Sequence, residues 1–321
     1  MLSIVIPIFN EEELVDELHR RVAAALRSVA MPYEVIYVND GSSDGTLKLL
    51  LAHQQRDAQV VVVNLSRNWG HQAAVTAGLA VAQGDAVVLM DGDLQDPPEV
   101  IPNMIGAWQA GAEVVAAVRT GRRETGIRRL LFPLFYKLLG WLSDFPLPLN
   151  AGIFGLLDRR AADAIRNLTE SNRYLPGLRS WIGFRRATVY YHRDERAGGQ
   201  PKQTLVKLVK YAFDAIFSFS YKPLRLTLAL GLLTSGGAFT LAVILLACRL
   251  FNVGLFAQPV TAGYTSTILS VLFLGGVQLI GLGILGEYVG RIYDEVKRRP
   301  LFLIDQVHRA SDNTSSLRSA A

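Results

Sequence analysis

The chain has 321 residues, half of them hydrophobic and 19% charged, with a formal net charge of +5 and a single cysteine. That composition excludes a disordered or collagen-like chain, an intrachain disulfide and a zinc cage built from cysteines. Mean hydropathy is +0.25, and the apolar excess is concentrated: no charge falls between Leu226 and Ala247, and the next after Arg249 is Glu287. The positive balance fits an anionic partner, whether nucleic acid, lipid headgroup or phosphorylated substrate.

In chain order, strand-like runs alternate with helical patterns. Residues 2–8 form the first strand and, being short and without a basic leader, do not read as a signal peptide. A helix follows over 12–29, with Leu14, Val15, Leu18, Val22 and Leu26 on one face. Strands over 33–38, 60–65 and 86–90 then alternate with helices over 44–55 and 72–82, and a further strand-like run spans 114–118. The alternation predicts an α/β fold, a mainly parallel sheet with helices on both faces. Ligands of such sheets bind beyond the carboxyl ends of the strands, where this chain places its polar clusters, residues 7–13, 39–45, 64–72 and 91–99.

Two of these clusters carry chemistry. Asp91-Gly92-Asp93 follows an apolar strand, so both carboxylates project at its end, where their mutual repulsion calls for a cation. Hard magnesium or manganese suits an all-oxygen set to which Gln95 adds a neutral donor, although isolated Asp-x-Asp turns also cap helices without metal. In residues 40–46 the glycines permit tight turns, Asp44 is the expected N-cap of the next helix, and Asp40 is left to accept hydrogen bonds from a ribose or base. No Gly-x-Gly-x-x-Gly follows the first strand and no P-loop is present, which disfavours a dinucleotide dehydrogenase and a P-loop nucleotidase. His71 and Gln72 invite a catalytic role, but a lone histidine more often caps or supports the helix that follows it.

Farther on, residues 226–248 would span roughly 35 Å as a helix, enough for a hydrocarbon core about 30 Å thick. A second span fits 265–286, and Asn252-Val253-Gly254 and Gln258-Pro259 mark a loop between them. Gly236-Gly237, Gly275-Gly276, Gly281 and Gly283 would let the spans approach closely. Lys207, Lys210, Lys222 and Arg225 precede the pair and Arg291, Lys297, Arg298 and Arg299 follow it, so both termini are expected in the cytoplasm. Residues 130–142 and 205–221 mix aromatics with cations and read either as interfacial helices or as core helices packed on the sheet; residues 310–321 read as a disordered polar tail.

Four ordered runs carry a resemblance. Pro7-Ile8-Phe9-Asn10-Glu11-Glu12, Asp40 to Thr46, Leu65-Ser66-Arg67-Asn68-Trp69-Gly70-His71-Gln72 and Met90-Asp91-Gly92-Asp93-Leu94-Gln95-Asp96-Pro97-Pro98-Glu99 resemble the family-2 glycosyltransferases of the GT-A fold. Among these the chain looks most like the polyisoprenyl-phosphate glycosyltransferases, the bactoprenol glucosyltransferases and dolichyl-phosphate mannose synthases. Trp181-Ile182-Gly183-Phe184, Ser218-Phe219-Ser220 and the paired spans extend the likeness to about residue 300. The resemblance implies an inverting transfer of a hexose, glucose from UDP-glucose before others, to polyprenyl (undecaprenyl) phosphate at the cytoplasmic face of a bacterial inner membrane. It implies that Pro7, Phe9 and Glu11 contact the nucleobase, Asp40 the nucleoside, and Asp91, Asp93 and Gln95 a Mg2+ or Mn2+ ion. It also implies a homo-oligomer, in the form of a tetramer.

The acceptor phosphate needs cations, and Arg119, Arg122, Arg128, Lys137 and Lys202 are the candidates, with Arg119 and Arg128 foremost. Arg123 and Arg129 read equally well as headgroup contacts. The +5 charge is then lipid phosphate and headgroup chemistry, with no nucleic acid partner. The expected organisation is a catalytic domain over 1–203 with an interfacial segment at 128–143, an amphipathic helix over 204–222, membrane helices over 224–250 and 264–290, and a cytoplasmic tail over 291–321. Two features depart from the family pattern: Ile153 stands where an acid usually precedes the phenylalanine, with Asp158 too far along to replace it, and the loop around Lys202 lacks a Ser-Lys-Tyr run. Two other readings compete. A processive polysaccharide synthase would need more spans and a Gln-x-x-Arg-Trp motif, and a non-catalytic nucleotide-sugar-binding membrane protein draws only on Ile153.

Overall fold

Continuous apolar runs become strands buried on both faces, as the middle of a parallel sheet requires. A computed structural model describes residues 1–120, 151–170, 173–192, 222–250 and 263–310. Strands β1 (Leu2–Ile8), β2 (Tyr33–Asn39), β3 (Val60–Leu65) and β4 (Ala86–Leu89) alternate with helices α1 (Val15–Leu26), α2 (Thr46–Arg56) and α3 (His71–Val81). A short turn of 3-10 helix leads into α4 (Ile101–Gln109), followed by β5 (Val114–Thr120), β6 (Ala151–Asp158), α5 (Arg159–Arg166), α6 (Leu175–Trp181) and β7 (Arg186–His192). Two long helices, α7 (Lys222–Leu250) and α8 (Gly263–Val296), precede a last strand, β8 (Ile304–His308).

The eight strands form one sheet in the order β7-β5-β6-β4-β1-β2-β3-β8. The block β4-β1-β2-β3 is parallel throughout, and β5 pairs in parallel with β7. β6 runs antiparallel to both β4 and β5, and β8 antiparallel to β3. The core packs Leu18, Val22 and Leu26 of α1 and Leu50 of α2 against Leu2, Ile4, Ile6 and Tyr37. The carboxyl ends of β1 to β5 therefore share one edge, which the amino ends of β6 and β8 also reach.

Three expected helix starts move. α1 begins at Val15 rather than residue 12 because Glu11 and Glu12 are drawn into the loop: Leu14 N donates to Glu11 O at 2.9 Å, and Glu12 Oε2 accepts from Gly45 N at 2.6 Å. Asp44 is not the N-cap of α2. Gly45 holds that position, and Asp44 Oδ1 accepts the Thr46 N–H at 3.1 Å from one residue earlier. α3 begins one residue early, at His71, behind Gly70. The residues expected as a tail, 291–321, contain β8.

Helices α7 and α8 have 29 and 34 residues and are long and apolar enough to cross a membrane. The side chains of Leu228, Leu232, Leu233, Phe239, Leu279 and Ile280 are exposed, as lipid-facing groups would be. The glycines expected to bring the spans together do not: among the described residues, a Cβ at Gly236, Gly237, Gly275, Gly276, Gly281 or Gly283 would meet nothing within 4 Å. The two proposed interfacial segments lie outside the described residues, apart from Lys222 in α7.

Candidate active site

The loops after β1 and β2 are stapled to each other. Asn10, at φ +51°, donates its N–H to Ser42 Oγ at 3.0 Å and accepts from Ser43 N at 2.8 Å, while Glu11 N donates to Thr46 Oγ1 at 3.1 Å. Phe9 stands exposed at the rim, Glu11 is half-buried, and Pro7 is buried inside β1. Gly41, at φ +65°, lets this loop press on the next one, since a Cβ there would sit 2.4 Å from the carbonyl carbon of Arg67.

That close approach changes the reading of Asp40. Its carboxylate is not free: Oδ1 accepts from Trp69 N at 2.7 Å and Oδ2 from Gly70 N at 3.0 Å. These N–H groups precede α3, where donors lack helical partners, so a buried carboxylate satisfies them. Burial raises the Asp40 pKa, against the two N–H bonds and the charge of His71. A nucleoside would share an oxygen already engaged in holding the loop.

Asp91 and Asp93 emerge at the end of β4, both partly exposed, with Leu94 between Asp93 and Gln95 at φ +58° and buried. A leucine in that region costs about 1–2 kcal/mol. The strain buries Leu94 while Asp93 and Gln95 remain at the surface. Asp93 Oδ1 accepts from Gln95 N at 3.2 Å, so Gln95 is tied to the motif through its backbone. His71 Nε2 lies 2.7 Å from Asp91 Oδ1, so the histidine does more than begin a helix. Burial opposes the imidazolium, but the Asp91 bond and the charges of Asp91, Asp40 and Asp93 outweigh it and raise the His71 pKa above 6.5. Gln72 braces α6 instead, its Oε1 accepting from Leu175 N at 3.1 Å.

A second ionic group follows in the same motif. Asp96 is fully buried; Tyr191 Oη donates to its Oδ1 at 2.5 Å, and Arg119 Nη2 lies 3.4 Å from the same oxygen. Arg119 Nε donates to Tyr191 Oη at 2.9 Å. Burial works against the guanidinium, but the Asp96 carboxylate, the Tyr191 hydroxyl and the Asp91 charge raise the Arg119 pKa. Arg119 therefore reaches the site edge already anchored on a buried acid. Arg122, Arg128, Lys137 and Lys202 lie outside the described residues.

Strand β6 supplies no acid at the edge. Ile153 and Phe154 are buried, and Phe154 meets Tyr191 edge-on at 5.4 Å between centroids. Asp158 caps α5, accepting from Arg160 N at 3.0 Å, and also accepts from Trp108 Nε1 at 2.8 Å, which fixes it in a structural task. Arg179 of α6 is buried over β6 and donates to the carbonyls of Gly152, Ile153 and Phe154; burial lowers its pKa to about 10. Gly155 makes the room, because a Cβ there would lie 2.6 Å from Arg179 Nη1.

Among the described residues no group of three or more His, Cys, Asp or Glu side chains is placed to hold a metal by itself. The carboxylates of Asp91 and Asp93 fit a hard divalent ion that completes its oxygen shell from a ligand, not a fully caged structural metal.

A mostly parallel sheet with paired acids at its carboxyl edge and cross-bonded loops on either side is a transferase domain of the GT-A type. The chain belongs to glycosyl transferase family 2, whose model matches residues 3–166. It is 42% identical over 305 residues to an uncharacterized glycosyltransferase of Bacillus subtilis (strain 168), covering 95% of this chain and 93% of that one. It is 41% identical over 311 residues to the SfII prophage-derived bactoprenol glucosyl transferase of Shigella flexneri, covering 97% and 99% of the two chains. The bactoprenol glucosyl transferase of Shigella phage SfV is 41% identical over 304 residues, 94% of this chain and 97% of that one.

Proposed function

We propose that this enzyme transfers glucose from UDP-glucose to the phosphate of a polyprenol of the undecaprenyl type, with inversion at the sugar. The observation that carries the reading is the Asp91/Asp93 pair at the end of β4, beside the braced loops, in a chain followed by two membrane-length helices. Near-full-length likeness to bactoprenol glucosyl transferases supports the same acceptor. In this reading Phe9 and Glu11 flank the base, with Pro7 setting their strand, and Asp40 holds the loop against which the nucleoside lies. Asp91 and Asp93, with Gln95, would hold Mg2+ or Mn2+. The bound ion would neutralise charge developing on the nucleoside diphosphate leaving group.

The nucleophile is a phosphate monoester oxygen whose second pKa is near about 6, so it is largely deprotonated at neutral pH and needs no dedicated base. The absence of an acid at Ile153 is compatible with that chemistry. Arg119, held by Asp96 and Tyr191, receives the acceptor phosphate together with Arg122, Arg128, Lys137 and Lys202. The catalytic domain, residues 1–203 completed by β8, and both termini face the cytoplasm of a bacterial inner membrane, and the protein works as a homo-oligomer, a tetramer. Purified enzyme with Mg2+ or Mn2+ should convert radiolabelled UDP-glucose to a lipid-soluble product only when undecaprenyl phosphate is added. Product formed equally without that lipid, or with every nucleotide sugar in a donor panel except UDP-glucose, refutes the respective half of the proposal.

A further inference from the structure

The chain re-enters its catalytic sheet after the apolar helices. β8 lies antiparallel on β3, with Val63 opposite Val307 and Asn64 opposite Gln306, and the register shifts between Asn64 and Leu65. The shift falls where β3 runs into the loop bearing Trp69 and Gly70. Just beyond it, Ser66 N donates to Leu303 O at 3.0 Å. The far end is anchored by Arg309, which donates to the buried Glu34 carboxylate at 3.0 Å and to Val81 O at 2.8 Å.

From β8 a line of hydrogen bonds crosses the carboxyl edge of the sheet. Asn64 Nδ2 donates to Asp305 Oδ2 at 3.1 Å, and Asn39 Nδ2 to Asn64 Oδ1 at 2.8 Å. Asn39 Oδ1 then accepts from Ser42 N at 3.3 Å, and Ser42 Oγ from Asn10 N at 3.0 Å. Each amide in this line is oriented by the bond its other end makes, because Asp305 offers only acceptors and so fixes which end of Asn64 points toward Asn39. Removing Asp305 frees Asn64 to turn, and Asn39 then loses the acceptor that aims its oxygen at the Ser42 N–H.

We propose that β8 is part of the donor site: Asp305, through Asn64 and Asn39, and Leu303, through Ser66, position the loops that receive the nucleoside diphosphate. The catalytic domain becomes fully competent for donor only when the segment that follows the membrane hairpin has been laid on β3. This inference rests on the reading that residues 39–45 and 66–70 take the donor.

The test uses the full chain in detergent. Asp305→Ala should raise the KM for UDP-glucose and the Kd for UDP by about tenfold, the size expected from one lost positioning bond. The KM for undecaprenyl phosphate and the melting temperature should stay at their original values. Asp305→Asn, which keeps an oxygen for Asn64 Nδ2, should recover most of the loss. UDP binding that Asp305→Ala leaves unchanged overturns the inference alone, as does an equal rise in both KM values with a lower melting temperature. No UDP binding by the unmodified chain overturns the donor reading and the inference together.

Discussion

At the scale of single residues, the Asp91/Asp93 pair is legible in sequence and its surroundings are not. Spacing alone sets two carboxylates at the end of an apolar strand. The partners come from far along the chain: His71 is 20 residues before Asp91, and Tyr191 is 95 residues after Asp96. Local periodicity carries no record of such pairings, so a histidine that faces the acids reads as a support for the helix that follows it, and Asp96 receives no role of its own. The division of labour among three acids then follows from burial. Asp96 is fully buried and committed to Arg119 and Tyr191, whereas Asp91 and Asp93 remain accessible to a cation. Asp93→Ala should therefore lower kcat by about 100-fold or more, in line with the loss of an electrostatic group acting on the leaving charge, with little change in melting temperature because the Asp93 carboxylate is partly exposed and bonds a backbone N–H only two residues away. A kcat within about twofold of the original enzyme at saturating Mg2+ would remove Asp93 from the ion site.

Among the elements, β1 and β3 fall on the expected residues because strands buried on both faces read as unbroken apolar runs between turns. β8 escapes notice for the opposite reason. Its five residues mix Asp305, Gln306 and His308 with two apolar side chains, and its partner strand begins more than two hundred residues earlier. The contact between α1 and α2 holds another pairing unreadable from sequence. His19 Nδ1 lies 3.2 Å from Tyr37 Oη, its ring is 4.3 Å from that of His53, and Nε2 is 3.9 Å from Asp57. Burial, then the neighbouring His53, lowers the His19 pKa below 6.5, with Asp57 and Asp16 opposing. The folded chain thus prefers neutral His19, and the unfolded chain binds the proton more readily. This stability is fully present above pH 6.5 and declines as the pH falls through the lowered native value. Against His19→Gln as reference, which cancels the opposite contribution of His71, thermal unfolding from pH 7.5 to about 5.5 should show the His19 chain losing up to about 1.4 kcal/mol per pH unit, the ceiling for one proton. Identical pH dependence in the two chains would assign the effect to other groups.

For the whole molecule, the order of strands constrains the membrane crossing. β7 precedes the two apolar helices and β8 follows them, yet both belong to one sheet. A chain that leaves a sheet and returns to it can cross a bilayer only an even number of times in between, so the proposed two-span crossing returns the chain to the side it left. The proposed cytoplasmic side rests on the cations: Lys222 and Arg225 before the first helix core and Arg291, Lys297, Arg298 and Arg299 at the close of the second, against Arg249 alone at the intervening turn. The sheet supplies the parity and the charges supply the sign, and the two arguments are independent. In a Cys248→Ser background, Gln258→Cys should react with a membrane-impermeant maleimide added to intact spheroplasts, while Gln306→Cys on β8 should react only in opened membranes. Labelling of both from outside would break the parity argument. The reverse pattern, Gln306→Cys outside and Gln258→Cys protected, would keep the parity and overturn the sign, moving the Asp91/Asp93 edge to the face of the membrane opposite the cytoplasmic nucleotide pool.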